Sequence, residues 1–279
     1  MKKNKINFDL KHGTVEGSYV TVDKEDAPLV IITNGHNGFY NYGMFPYIQE
    51  QLYNHGISSF SYNFSHGGIQ GDEDYFTELD KYEQNCMRLE TADLAEIIKH
   101  LKGSEINFTD HTKLILLAHS MGSVPTIFAA KELLKQSYKI DGIVLLSCIK
   151  TLNRWPEYIL EEWQEKSVYL QKNNRTKQEL PQGKELLEEI KQADGKWSLR
   201  DALKEVKSNF LIVHGEKDEA VPVEDSMTLK EWVSQYGHTG ELHIIPDATH
   251  TYNTRHPFEG PSKEVNMMLE VVSEWVNKL

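Results

Sequence analysis

"LILLAHSMGSVPTIFAA" (residues 114–130) is an apolar run that ends in Ala-His-Ser-Met-Gly and passes directly into a helical pattern. The run 113–118 has the length and the unbroken apolar character of a strand buried on both faces of a parallel sheet. Ser120 at that junction has two readings: a helix N-cap, a common role for serine, or a nucleophile raised on a sharp strand-to-helix turn. The second demands small residues two before and two after the serine, because the turn crowds both flanks. Ala118 and Gly122 meet that demand, with Ala118 standing where the G-x-S-x-G form has glycine. By itself the pattern is weak; its place between a strand and a helix strengthens it.

Working outward, similar runs recur on both sides. "INFDL" and "VEGSYVTV" read as an opening antiparallel pair that turns at Gly13-Thr14, followed by "PLVIIT" (28–33) and "ISSFSYNF" (57–64). After the central run come "GIVLLSC" (142–148), "NFLIVHG" (209–215) and "ELHIIP" (241–246). Helical spacing predicts helices over about 43–55, 82–101, 121–136, 223–236 and 261–277. Strands alternating with helices imply a mostly parallel eight-stranded sheet flanked by helices on both faces. Residues 149–206 break the rhythm. They are polar, rich in Glu and Lys, and carry Trp155, Tyr158, Trp163, Tyr169 and Trp197. An insertion of this length after the sixth strand predicts a helical lid or cap at the carboxyl edge of the sheet, where open α/β sheets bind ligands. The core is then 1–148 together with 207–279.

Composition narrows the function classes. A formal charge of −12 over 279 residues argues against a nucleic-acid partner, which requires basic surface. "MKKNK" is not followed by an apolar h-region, and no segment reaches the ~20 apolar residues that span a bilayer; no membrane partner and a cytoplasmic location are the expectations. The two cysteines, Cys86 and Cys148, read as buried small hydrophobes. Twelve histidines invite a metal reading, but they form no H-E-x-x-H or paired-Cys spacing, so no metal is expected.

If Ser120 is a nucleophile, an acid and a histidine must follow at the ends of later strands. "FLIVHGEKDEAVP" supplies Asp218, with Glu216 and Glu219 as neighbouring competitors. "LHIIPDATHTY" supplies His250, with His243 and His256 as alternatives. In this reading His250 takes the Ser120 proton and returns it to the leaving group, while Asp218 fixes the imidazole tautomer. The Met121 backbone N–H, at a helix start, is placed for a developing oxyanion. The loop "IITNGHNGFYNYG" (31–43) offers a second donor, the His36 N–H first and Asn37 second. His66 and the insertion aromatics Trp155, Tyr158 and Trp163 are candidate substrate contacts.

On these residues the chain resembles the α/β-hydrolase-fold serine esterases, close to their dienelactone-hydrolase-like and cinnamoyl (feruloyl) esterase branch. The resemblance runs from "TNGHNGF" through "SYNFSHGGIQGD", "AHSMGS" and "HGEKDEAVP" to "DATHTY". It implies an α/β-hydrolase fold, a Ser120-Asp218-His250 triad, an oxyanion hole at His36 and Met121, and no cofactor. Asn34 departs from the His-Gly oxyanion motif of that family, and "SYNFSHGG" lacks its Arg-Gly. The expected activity is cleavage of a small-molecule carboxylic ester through an acyl-enzyme. An acyltransferase or thioesterase on the same triad is the alternative, with peptidase activity behind it. From another class, a non-catalytic α/β-hydrolase-fold protein would bind a small ligand without turning it over.

Overall fold

A computed structural model of the chain describes residues 1–24, 26–102, 104, 106 and 112–279. The first strands, β1 (Asn4–Leu10) and β2 (Gly13–Val20), form the antiparallel hairpin expected from the sequence, but its turn lies at residues 11–12 rather than at Gly13-Thr14, because Gly13 and Thr14 already pair with Leu10 and Asp9. β3 (Leu29–Thr33) leads to α1 (Phe45–Asn54), and β4 (Ser58–Tyr62) follows. The helix expected over 82–101 is two helices, α2 (Leu79–Glu83) and α3 (Met87–Leu101). They are separated because Cys86 adopts an extended conformation at φ −157° and ψ 165° just before α3. β5 (Leu114–His119) passes into a single 3-10 turn, Ser120–Gly122, and then α4 (Ser123–Lys135) and β6 (Gly142–Leu146).

The insertion follows β6. It contains α5 (Glu157–Lys166), an antiparallel hairpin of β7 (Val168–Lys172) and β8 (Glu179–Gly183), α6 (Lys184–Ile190) and α7 (Leu199–Leu203). The insertion expected to be helical thus holds three helices and, between the first two, a two-stranded hairpin that was not expected. The core resumes with β9 (Asn209–Gly215), α8 (Val223–Gln235), β10 (Gly240–Ile245) and α9 (Lys263–Lys278).

The eight core strands lie in the order β1-β2-β4-β3-β5-β6-β9-β10, antiparallel at β1–β2–β4 and parallel from β4 onward. Alternation along each strand divides the core into two layers, as the pleat requires. Leu114, Leu116 and Ala118 of β5 join the cluster beneath α3 and α4, while Ile115 and Leu117 join the one beneath α1 and α9. Cys86 and Cys148 are buried free thiols within the first cluster.

The insertion is packed onto this body. Trp163, Leu186, Leu187, Ile190, Trp197 and Leu203 are buried in the same cluster as α3 and α4. Glu189 of α6 accepts the Met87 and Arg88 N–H groups at 2.6 and 3.1 Å, satisfying donors that the start of α3 leaves open. Where the chain leaves β6, buried Asp225 of α8 accepts the Lys150 N–H at 3.2 Å and Arg154 Nη1–H at 2.7 Å. The hairpin itself is pinned to the loop after β4, where Gln178 both accepts the Phe76 N–H at 3.0 Å and donates to the Phe76 carbonyl at 2.7 Å.

Candidate active site

The carboxyl ends of β3, β5 and β10 converge on one cavity of about 350 Å³. Its wall includes residues 35–38 after β3, His119 and Ser120 after β5, His250 and Thr251 after β10, and residues 172–175 at the turn of the β7–β8 hairpin. Segments far apart in the chain meet there because parallel strands all end on the same edge.

Ser120 sits at φ +54°, in the left-handed region that costs a residue with a Cβ about 1–2 kcal/mol. That conformation turns the chain sharply from β5 into α4 and leaves Ser120 on the cavity wall. The neighbours are small for a steric reason. A Cβ on Gly122 would lie 2.6 Å from the Asn34 carbonyl oxygen, and one on Gly35 would lie 2.9 Å from the Ser120 Cβ. Ala118 is buried at the end of β5, so its methyl is accommodated where glycine is the commoner choice.

Asp218 and His250 are directly bonded. His250 Nδ1–H donates to Asp218 Oδ2 at 2.8 Å, while Asp218 Oδ1 accepts the Ala220 and Val221 N–H groups at 2.9 and 2.8 Å. With Nδ1 committed to the carboxylate, Nε2 is the His250 nitrogen left for a proton from elsewhere. Burial alone would raise the Asp218 pKa, but hydrogen bonds from His214, His250 and the Val221 N–H overcome it and hold the carboxyl well below its ordinary range. The competitors stand elsewhere. Glu216 accepts the Asp247 N–H, Glu219 is exposed, half-buried His243 faces Glu241, and His256 Nδ1 accepts the Gly43 N–H.

Two further histidines brace this pair. His214 of β9 is buried and reaches Asp218 Oδ2 at 3.2 Å and the Val221 carbonyl at 2.9 Å through Nε2, with Ser226 Oγ 2.6 Å from Nδ1. Both Nε2 partners are acceptors, so the proton resides on Nε2. His119 Nε2–H donates to the His250 carbonyl at 3.0 Å, and burial pushes its pKa down to about 3, so it is a neutral donor near neutral pH. Sequence reasoning missed both. His214 is visible in "VHGEKD" and His119 in "AHSMG", but a partner far away in the chain leaves no local spacing to recognise.

His36 and Asn37 line the cavity, whereas several expected contacts do not. His66 is bonded to the Ser65 hydroxyl in the loop after β4. Tyr158 is 67% exposed on α5, and Trp163 is fully buried between Trp155 and Tyr169 as a packing residue of the insertion. These three side chains lie off the cavity wall. Trp155 reaches the site indirectly, meeting the His36 ring edge-on at 6.0 Å. Among the described residues no group of three or more His, Cys, Asp or Glu side chains is gathered as metal ligands, and no helix is long and apolar enough to cross a membrane.

A model described as the prolyl oligopeptidase family matches residues 69–278. The chain belongs to that family. Ser120, Asp218 and His250 fall inside the matched span of this prolyl oligopeptidase family member, and the 35–38 segment lies before it. Similar solved structures include Est1E from Butyrivibrio proteoclasticus with ferulic acid bound, at 18% identity over 98% of each chain and a TM-score of 0.69. DcsB in complex with its substrate analogue shares 15% identity over 99% of each chain, with a TM-score of 0.74. A dienelactone hydrolase from Anabaena variabilis shares 15%, covering 98% of this chain and 96% of its own, with a TM-score of 0.61. At these identities the likeness is one of fold, and the fold is that of the α/β hydrolases. No curated protein sequence matches. Family and fold together make the chain an α/β-hydrolase-fold hydrolase.

Proposed function

We propose that the protein hydrolyses carboxylic esters of small molecules through an acyl-enzyme on Ser120. One observation carries this reading. Ser120, held at φ +54°, shares a cavity with His250, whose Nδ1 is bonded to the buried carboxylate of Asp218. Serine is a poor nucleophile until a base takes its proton and a third group orients that base.

In the proposed sequence, His250 Nε2 accepts the Ser120 hydroxyl proton as Oγ attacks the ester carbonyl carbon. The carbonyl oxygen becomes an oxyanion, held by the Met121 N–H and the His36 N–H, with the Asn37 N–H as the other candidate. His250 then passes its proton to the departing alkoxide, leaving the acyl group on Ser120. Water repeats the cycle: His250 takes its proton, the hydroxide attacks the acyl carbon, and Ser120 leaves with the proton restored. Asp218 stays ionised throughout and stabilises the imidazolium.

The family to which the chain belongs is named for peptide cleavage, which makes amide hydrolysis on the same groups the second reading. The two differ in whether His250 can protonate an amine leaving group. A matched pair of substrates separates them: p-nitrophenyl butyrate and the corresponding p-nitroanilide. The expected result is turnover of the ester at a kcat/KM at least ~100-fold above the anilide, with Ser120→Ala lowering it by roughly 10³-fold or more. Equal rates for wild type and Ser120→Ala, or failure of a fluorophosphonate to label Ser120, would sink the hydrolytic reading and favour a ligand-binding protein. Preference for the anilide would establish the peptidase instead.

A further inference from the structure

The cavity segment 35–38 is tied to the insertion by a closed ring of side-chain hydrogen bonds. Gln182 of β8 donates from Nε2 to the Tyr82 hydroxyl at 2.7 Å, and Tyr82 O–H donates in turn to Asn37 Oδ1. Asn37 Nδ2–H donates to Gln171 Oε1 at 3.3 Å. Gln182 Nε2 also donates to Gln171 Oε1 at 3.3 Å, which closes the ring. Outside the ring, His36 Nε2–H donates to the same oxygen at 2.8 Å. Gln171 Oε1 is therefore the common acceptor for three donors, two of them from adjacent residues of the 35–38 segment.

The directions are mutually fixed. Turning the Gln171 amide over would present its NH₂ to the amide donors of Asn37 and Gln182, so each group holds its neighbours in one orientation. Nε2 of His36 lies 2.8 Å from the Gln171 oxygen and 3.4 Å from Gln182 Nε2, and the closer partner, an acceptor, places the imidazole proton there. Burial lowers its pKa against the opposing effect of the Gln171 bond, which disfavours the charged form. Asn37 is held at φ +59°, a left-handed conformation that asparagine tolerates better than most residues and that its surroundings fix here. The surroundings supply that constraint: Tyr82 and Gln182 are buried, and Leu180 beside them packs with Phe39, Phe76 and Tyr82.

We propose that Gln171 is a positioning residue for the oxyanion-binding backbone. It acts through His36 and Asn37 and makes the β7–β8 hairpin a fixed brace of the catalytic geometry. The inference rests on the proposed reading that segment 35–38 donates a backbone N–H to the oxyanion. An oxyanion donor contributes only when its N–H is aimed at the transition-state oxygen, and displacement by about 1 Å costs on the order of 10²-fold in rate. The effect belongs in kcat, because the ground-state carbonyl gains little from the same N–H.

The test exploits the fact that every bond Gln171 makes to His36, Asn37 and Gln182 is accepted by its oxygen. Gln171→Leu removes the acceptor, whereas Gln171→Glu keeps it. With p-nitrophenyl butyrate, Gln171→Leu is expected to lower kcat by ~10- to 100-fold with KM within about 2-fold. Gln171→Glu is expected to stay within about 3-fold of wild type, because a carboxylate oxygen accepts all three bonds. An arylboronic acid, whose adduct with Ser120 mimics the tetrahedral intermediate, should lose affinity in the Leu variant in proportion to the fall in kcat. If the Leu variant does not fold, Tyr82→Phe removes a single hydroxyl from the ring and is expected to lower kcat in the same sense. Unchanged kcat in a folded Leu or Phe variant overturns the proposal, as does a Glu variant as impaired as Leu at equal Tm. Failure of the ester-hydrolysis reading is seen separately, in wild-type protein that neither turns over the ester nor labels at Ser120.

Discussion

At the scale of single residues, the site concentrates strain and charge in a few atoms. The left-handed conformation of Ser120 costs about 1–2 kcal/mol for any residue with a Cβ, and glycine escapes it. Ser120→Gly is expected to be inactive yet more stable than Ser120→Ala by about 1 kcal/mol in urea unfolding; equal stabilities would show that the turn is unstrained. Asp218 supports the second residue-level expectation. An amide at 218 places an NH₂ against the proton on His250 Nδ1, and the imidazole relieves the clash by moving its proton to Nε2, where it no longer serves as a base. Asp218→Asn is therefore expected to lower kcat by ~10⁴-fold with little change in folding. A loss under tenfold would mean that another group orients His250. The serine, acid and histidine were readable as positions in the sequence, because each follows an apolar run that ends on the same sheet edge. His119 and His214 were not, since what they do is set by partners in other segments.

At the scale of elements, the central strands β3, β5, β6 and β9 were legible because burial on both faces writes a nearly unbroken apolar run. The β7–β8 hairpin was illegible for the opposite reason. "VYLQK" and "ELPQG" spend their inward positions on amides that meet a polar loop, so neither alternation nor apolar continuity appears. The split of α2 from α3 was missed because the apolar spacing continues across the turn at 84–86. The hairpin's seating leaves a steric signature: a Cβ on Gly183 would stand 2.1 Å from the Glu83 carbonyl oxygen, at the end of α2. Gly183→Ala is expected to destabilise the fold by about 2 kcal/mol or more and to lower kcat through the displaced hairpin, as read by thermal unfolding and by turnover of the same ester. Wild-type Tm and kcat in that variant would mean that the hairpin and α2 separate without consequence.

At the scale of the molecule, the balance of buried acids sets how stability responds to pH. Burial raises Glu90 to about 8, Asp93 to about 7 and Glu189 to about 7, from ordinary values of 4.5, 3.8 and 4.5. Between about pH 4 and 8 the folded protein holds protons that the unfolded chain has released, so stability declines as pH rises through that window. Asp218, held below its ordinary range, works the other way and only at acid pH. Tm is expected to be lower at pH 8.5 than at pH 6, and Glu90→Gln to recover part of the difference while matching wild type near pH 4. A Tm that rises from pH 6 to 8.5 would contradict the placement of these carboxyls. Glu90 and Glu189 lie where α3 meets α6 and Asp93 where α3 meets the loop after β4, so most of the pH response belongs to the seam between core and insertion.

That seam bears on how such proteins diversify. In many enzymes the segment that roofs a pocket can be exchanged freely, because the chemistry stays behind in the scaffold. Here the β7–β8 hairpin carries Gln171, which holds the loop after β3 directly, and Gln182, which holds it through Tyr82. Grafting a foreign roof onto this scaffold would therefore remove part of the support beneath the proposed chemistry as well as reshape the pocket. New substrate ranges are more accessible through the turn at residues 172–175, which lines the cavity while leaving both glutamines in place.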